Sequence, residues 1–261
     1  MPSVSRPIFL SPHPDDAVLS CGGWIYQLAQ DGARPIVVTI FGGDRPGSAP
    51  LSAFARSLHQ RWQLDDDAPA RRRDEDRAAC DRLGCYLIQL PFADAVYRVD
   101  ETGRPLYDSE EAIFAEVRDR ELIDRVANAV HSRVERLNSS GSVARLYTPL
   151  TAGKHVDHII TRLAAEQLPT ELIYYEDYPY AERPEGLTQV WERAGGTADD
   201  WVSETIGLSE GALQAKCEAF GQHRSQISTF FRDDDEVRQR LRAYAEFVGE
   251  GQAAERYWRK R

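Results

Sequence analysis

The chain has 261 residues, enough to bury a large α/β core, with 42% hydrophobic and 10% aromatic residues. Its formal net charge of -10, with no compensating basic stripe, argues against nucleic acid as a partner. Four scattered cysteines without a C-x-x-C pair suit reduced thiols in the cytoplasm, and no stretch approaches the roughly 18 apolar residues of a membrane span.

Residues 7–11, Pro7-Ile8-Phe9-Leu10-Ser11, read as a short buried strand. Residues 17–30 follow with Val18, Trp24, Ile25 and Leu28 at helical spacing, and Gly32 supplies a stop. Residues 35–41 are β-branched and short, a strand buried on both faces. Together they make a βαβ unit, whose strands run parallel and whose crossover is right-handed. Residues 42–68, with Gly42-Gly43, Pro46, Gly47 and Pro50, read as a long irregular segment, a kind that usually carries function.

Helix returns over 70–83, stops at Gly84, and leads into a third strand over 85–90. Ile113, Val117, Ile123, Val126, Val130, Val134 and Leu137 recur at helical spacing over 110–137, before a turn at 138–142. Residues 145–150 give a fourth strand, 155–168 a helix and 171–176 a fifth strand. Beyond 177 the pattern loosens, with helices near 209–222 and 234–249. The expected fold is Rossmann-like and doubly wound, a mostly parallel sheet with helices on both faces. It is expected as a single domain over 1–261, with 177–261 as a C-terminal elaboration completing the pocket.

Ligands of such sheets bind outside the carboxyl ends of the strands, so polar clusters just after strands are the candidates. Two stand out: His13-Pro14-Asp15-Asp16 after the first strand and His155-Val156-Asp157-His158 after the fourth. Adjacent carboxylates repel, and the i, i+3 spacing puts His155 and His158 on one helix face. Two histidines and one carboxylate from two loops suit an open catalytic zinc site, in which three protein ligands leave a position for water. The leftover carboxylate Asp15 suits a general base, and the leftover His155 an acid and a support for an oxyanion. Each motif also has a plainer reading. Asp16 could simply cap the following helix, Asp157 could favour a helix start, and His155 and His158 could be surface residues.

With the motifs SPHPDD and HVDH in hand, the chain resembles the PIG-L/LmbE-like de-N-acetylases, zinc-dependent enzymes that remove acyl groups from amino sugars. RRDEDRAACDRLG resembles a further family segment through Arg72, Glu75, Ala79, Leu83 and Gly84, and KCEAFGQHRSQI a looser one through Lys216, Ser225 and Gln226. The likeness spans about residues 7–230. It implies His13, Asp16 and His158 as metal ligands, Asp15 as the base, and His155 as oxyanion support that helps the amine leave, with Asp157 behind it. It also implies substrate contact for Arg72. Many relatives place Glu after the two aspartates, and this chain has Ala17. That departure leaves open a substrate outside the glucosaminyl-inositol and glucosaminyl-malate types, such as another glycoside or a secondary metabolite.

Asp94, Tyr97 and Arg98 follow the third strand and Tyr178 the fifth, so they are further substrate-binding candidates on the same rim. The expected partner is a small N-acylated sugar, with self-association left open, and an N/O site accepts Fe2+ or Mn2+ as well as Zn2+. The competing functions are a metal-dependent phosphoesterase and a non-catalytic carbohydrate-binding relative. The first needs cationic phosphate clamps that the motifs lack, and the second would tolerate loss of a base, ligand or acid, none of which is missing.

Overall fold

A computed structural model describes residues 6–47, 51–138, 145–193 and 196–261, so Pro50 and most of the expected turn at 138–142 lie outside the described residues. The elements run β1 (Ile8–Ser11), α1 (Asp16–Gln30), β2 (Ile36–Thr39), α2 (Ala53–Trp62), α3 (Ala68–Leu83) and β3 (Tyr86–Gln89). After a long excursion come α4 (Glu110–Ile113), α5 (Glu121–Asn138), β4 (Leu146–Pro149), α6 (Val156–Ala165) and β5 (Leu172–Tyr175). The last third adds α7 (Pro184–Arg193), β6 (Trp201–Gly207), α8 (Glu210–Phe220), α9 (Arg224–Phe230), α10 (Asp234–Val248) and β7 (Ala254–Lys260).

The strands form one seven-stranded sheet in the order β3-β2-β1-β4-β5-β7-β6. The first five are parallel, with Ile8 registered against Ile36 on one side and Leu146 on the other. Alternate strand residues feed two cores. Phe9, Val37, Tyr147 and Ile173 meet α1, α3 and α8, while Ile8, Val38 and Leu146 meet α5 and α6. Helices thus cover both faces, as the unbroken apolar runs of β1 and β2 require. The crossovers leave β1 and β4 toward opposite faces, so a crevice opens where their carboxyl ends lie side by side.

The structure departs from the sequence reading in three places. The segment 42–68 contains a helix, α2, whose Ser52 hydroxyl accepts from Ala55 N and whose end carries Gln63 at φ 56. The stripe over 110–137 is broken into α4 and α5, because Asp119 turns inward to a buried ion pair with Arg98. Beyond β5 the sheet gains two antiparallel strands, β7 beside β5 and β6 beside β7. Gly43 marks a close approach, since a Cβ there would lie 2.4 Å from the Pro91 carbonyl.

The last third is bound to the first by buried polar contacts. The Glu75 carboxylate accepts from Ser225 N and Oγ, and Lys216 Nζ donates to Glu255 at 2.8 Å. Glu255 also accepts from Gly23 N and Trp24 N on α1. Removing one partner of such a buried pair costs about 3–5 kcal/mol, because the other charge stays buried alone. Among the described residues no helix is long and apolar enough to cross a membrane, and all four cysteines are free.

Asp76 on α3 is fully buried, and one of its oxygens accepts from Thr39 Oγ1 at 2.8 Å and Gln89 Nε2 at 3.0 Å. Burial pushes its carboxyl up to about 7, against those two hydrogen bonds. An unfolded Asp titrates near about 3.9, so between these values the folded chain holds a proton that the unfolded chain releases. Stability therefore falls as pH rises through that window. Asp76→Asn mimics the neutral acid and is expected to unfold at higher temperature than wild type at pH 8. The gain is at most about 4 kcal/mol and vanishes toward pH 4. Melting curves that differ equally at both pH values would sink this account.

Candidate metal centre

Both motifs sit at the crevice between β1 and β4. After β1 the chain turns on Ser11, whose hydroxyl donates to His13 O at 2.6 Å and accepts from Ala17 N at 2.9 Å. That hydroxyl serves the start of α1, so neither aspartate side chain is used as a helix cap. Asp16 instead folds back, and its Oδ2 accepts from His13 N at 2.8 Å. The same oxygen lies 3.1 Å from His13 Nδ1 and 3.2 Å from His158 Nε2. Asp15 points the other way, toward Arg72 Nη2 at 3.4 Å. Adjacent carboxylates are tolerated because each faces a different partner.

The second motif opens α6, and all of its side chains are buried. His155 caps the helix, its Nδ1 accepting from Asp157 N at 3.2 Å. A neutral ring in that position carries its proton on Nε2. Burial, reinforced by His13, holds His155 well below the usual histidine range, so the ring is neutral. His158 is anchored from behind, its Nδ1 donating to Asp177 Oδ1 at 2.6 Å. Asp177 is itself fixed by Thr151 N and Ala152 N.

Asp157 lies behind His13 and not behind His155. Its Oδ2 accepts from His13 Nε2 at 3.0 Å and Ala95 N at 2.9 Å, and its Oδ1 accepts from Arg98 at 2.6 Å. Only its backbone orients His155. Each of His13 and His158 therefore spends one nitrogen on an outer carboxylate and turns the other to Asp16, an arrangement that outer carboxylates give to metal-ligating imidazoles.

Five buried carboxylates meet here, Asp15, Asp16, Asp94, Asp157 and Asp177, and the ion pairs of the cluster bring in two guanidiniums, Arg72 and Arg98. With His13 and His158 neutral, as metal ligands are, the cluster has surplus negative charge in a buried place, which favours a cation. Three groupings of donors are available. Asp16 Oδ2 stands between His13 and His158, and one nitrogen each of His13, His155 and His158 lie within 4.8 Å of one another. A third, His13 with Asp94 and Asp157, is weakened because Arg72 and Arg98 already hold those carboxylates. Burial and the neighbouring Asp16 push the Asp15 carboxyl up to about 6, against the pull of Arg72.

The cluster forms the floor of a cavity of about 780 Å³, within the usual size of ligand sites. His13, Asp15, Asp16, Arg72, Asp94 and His155 line its polar side, and Phe54, Leu58, Trp62, Ile113, Phe114, Tyr180 and Phe230 an apolar wall. Arg72 is clamped between Asp15 and Asp94 and lies 4.7 Å over the Trp62 ring.

Three of the expected substrate contacts are corrected. Tyr178 packs in the core against Phe231 and Tyr244, and Tyr180 lines the cavity in its place. Arg98 is buried beneath the floor between Asp119 and Asp157. Tyr97 lies outside the main cavity, with its hydroxyl 2.7 Å from His59 Nε2. Ala17 is wholly buried and does not line the cavity. Asp177 was within reach of the rule that led to His13, since it too follows a strand directly. Of the apolar wall, Phe54, Leu58 and Trp62 were hidden in a segment without regular pattern.

Residues 8–168 match the family model described as GlcNAc-PI de-N-acetylase, PIG-L. The 2'-N-acetylparomamine deacetylase of Niallia circulans is 30% identical over 203 residues, 71% of this chain and 72% of that protein. The zinc-inhibited form of teicoplanin deacetylase Orf2 superposes with a TM-score of 0.82 at 29% identity, covering 97% of both chains. The A40926 pseudoaglycone deacetylase Dbv21 superposes with a TM-score of 0.75 at 28% identity, covering 98% of this chain and 97% of that one. The family motifs, the doubly wound sheet and the buried histidine-carboxylate cluster agree on one assignment: the chain belongs to the PIG-L family of de-N-acetylases.

Proposed function

We propose that this chain, a metal-dependent N-deacetylase of amino sugars, acts on an N-acetylated hexosamine carried as a glycoside on a larger, partly apolar scaffold. The carrying observation is the cavity, whose polar floor is continuous with an apolar wall of Phe54, Leu58, Trp62, Ile113, Phe114 and Phe230. The relatives named for teicoplanin and the A40926 pseudoaglycone support a substrate larger than a free sugar, and the one named for 2'-N-acetylparomamine supports an N-acetyl group as the target. The reading treats the chain as one domain, because Pro179, Tyr180, Gln226 and Phe230 of the last third line the cavity with His13 and His155.

His13 Nδ1, Asp16 Oδ2 and His158 Nε2 are the proposed metal ligands, and two nitrogens with one oxygen suit zinc. A divalent cation there supplies Lewis acidity, which makes hydroxide available near neutral pH and polarises a carbonyl. Asp15, held by Arg72, takes the proton of the attacking water and returns it to the sugar nitrogen as the C–N bond breaks. His155 donates from Nε2 to the carbonyl oxygen as negative charge gathers on it. Arg72 is held by Asp15 and Asp94, so it offers no free clamp of the kind phosphoester chemistry needs.

Purified protein is expected to carry zinc, to lose turnover on exhaustive chelation and to regain it with added Zn2+. Metal analysis that finds no divalent cation in active protein rejects the ligand set, and another divalent metal in place of zinc rejects zinc alone. Asp15→Asn is expected to keep the metal and lose at least about 100-fold in kcat. Wild-type turnover in that variant removes Asp15 as the base. On a panel of N-acetylglucosaminides, released acetate and free amine should give a higher kcat/KM for alkyl or aryl glycosides than for free N-acetylglucosamine. Phe114→Ala should narrow that gap, and equal rates across the panel in wild type would sink the scaffold reading.

A further inference from the structure

Beneath the cavity floor a chain of buried groups runs away from His13. Asp157 accepts from His13 Nε2 at 3.0 Å on one oxygen and from Arg98 Nη1 at 2.6 Å on the other. Arg98 is 7% exposed and lies over the Phe41 and Tyr107 rings at 5.2 and 5.1 Å, in surroundings too apolar to screen its charge. Its Nε is 2.6 Å from Asp119 Oδ2, an ion pair off the N–H direction, since no hydrogen bond forms there. The other Asp119 oxygen accepts from Tyr107 Oη at 2.7 Å, which fixes the carboxylate in place.

The charge count gives this arrangement its consequence. One guanidinium is shared by two carboxylates, so Asp119, Arg98 and Asp157 together carry a net negative charge facing His13. Were Asp119 neutral, Arg98 and Asp157 would cancel, and the His13 Nε2–H would donate to a neutral pair. A ligating imidazole is a stronger donor to its metal when its far N–H meets a full negative charge. We propose that Asp119 is a positioning residue for the metal ligand His13, acting through Arg98 and Asp157 to raise metal affinity. It rests on the assignment of His13 as a ligand through Nδ1. Asp119 precedes α5, far in sequence from either motif, and it also fastens the segment that carries Phe114 on the cavity wall.

The test compares wild type, Asp119→Asn, Asp119→Glu and His13→Ala, each stripped of metal and titrated with Zn2+ against a competing chelator. The Co2+ spectrum and the melting temperature are recorded alongside. Asp119→Asn keeps the acceptor for Tyr107 and removes the charge, and is expected to bind Zn2+ about 10-fold more weakly with a shifted Co2+ spectrum. Asp119→Glu restores the charge and is expected to recover most of the affinity. A role limited to fastening the chain would lower the melting temperature and leave the affinity of folded protein unchanged, and that result overturns the proposal.

His13→Ala separates the two readings. Retention of metal there sinks the ligand assignment and this role with it, whereas loss there with unaltered affinity in Asp119→Asn sinks the positioning role alone. Should Asp119→Asn not fold, the wild-type holoprotein decides. A histidine 15N spectrum with the metal on His13 Nδ1 and a proton on Nε2 supports the chain of contacts. Metal on Nε2 overturns it, because no proton would remain for Asp157.

Discussion

Everything at this site depends on one carboxylate oxygen. Asp16 Oδ2 stands about equally far from an imidazole of the first crossover and one of the fourth, at 3.1 and 3.2 Å. That coincidence requires β1 and β4 to be neighbours, although β1 ends at Ser11 and β4 begins only at Leu146. Parallel pairing of β1 with both β2 and β4 is what delivers it, and the apolar runs IFLS and IVVT are what hold the pairing inside. The site is therefore a property of sheet order before it is a property of any loop.

Around that oxygen the fold assigns polar groups by distance from the cavity. The nearest ring holds the donors, and a second ring of Asp157 and Asp177 holds the donors' far nitrogens. Backbone N–H groups of Ala95, Thr151 and Ala152 hold that second ring in turn. Buried carboxylates are stable only when such partners satisfy them. These outer groups come from the segments after β3, β4 and β5, so misplacing any one of those elements would loosen an imidazole.

The histidine-carboxylate cluster was legible because its residues lie close together in sequence. His13, Asp15 and Asp16 lie within four residues, as do His155, Asp157 and His158, and each set follows an apolar run that already reads as a strand. Their partners were not legible in the same way. Arg98 and Asp157 are 59 residues apart, and nothing near Arg98 announces that it points beneath the floor and not into the cavity. Tyr178 and Tyr180 are both close to a strand end, and only packing against Phe231 decides which of them is core. β6 and β7 show no clean apolar-polar alternation, and 46 residues lie between their facing ends, so the pairing had no hairpin signal. The same distance effect hid the break before α5, since Asp119 is drawn out of helical register by a partner 21 residues earlier.

The cavity wall has a separate origin from its floor. Phe54, Leu58 and Trp62 come from α2, Ile113 and Phe114 from the end of the excursion after β3, and Phe230 from α9, none of which supplies a metal-facing donor. Wall and floor consequently come from different elements, which meet where Trp62 lies against Arg72 and Phe114 against His155. Loop lengths and side chains of the wall can drift under selection for a new scaffold while the reacting centre stays intact. Diversification of substrate in this fold is then a matter of re-upholstering surface segments, and the sheet edge beneath them has no need to change.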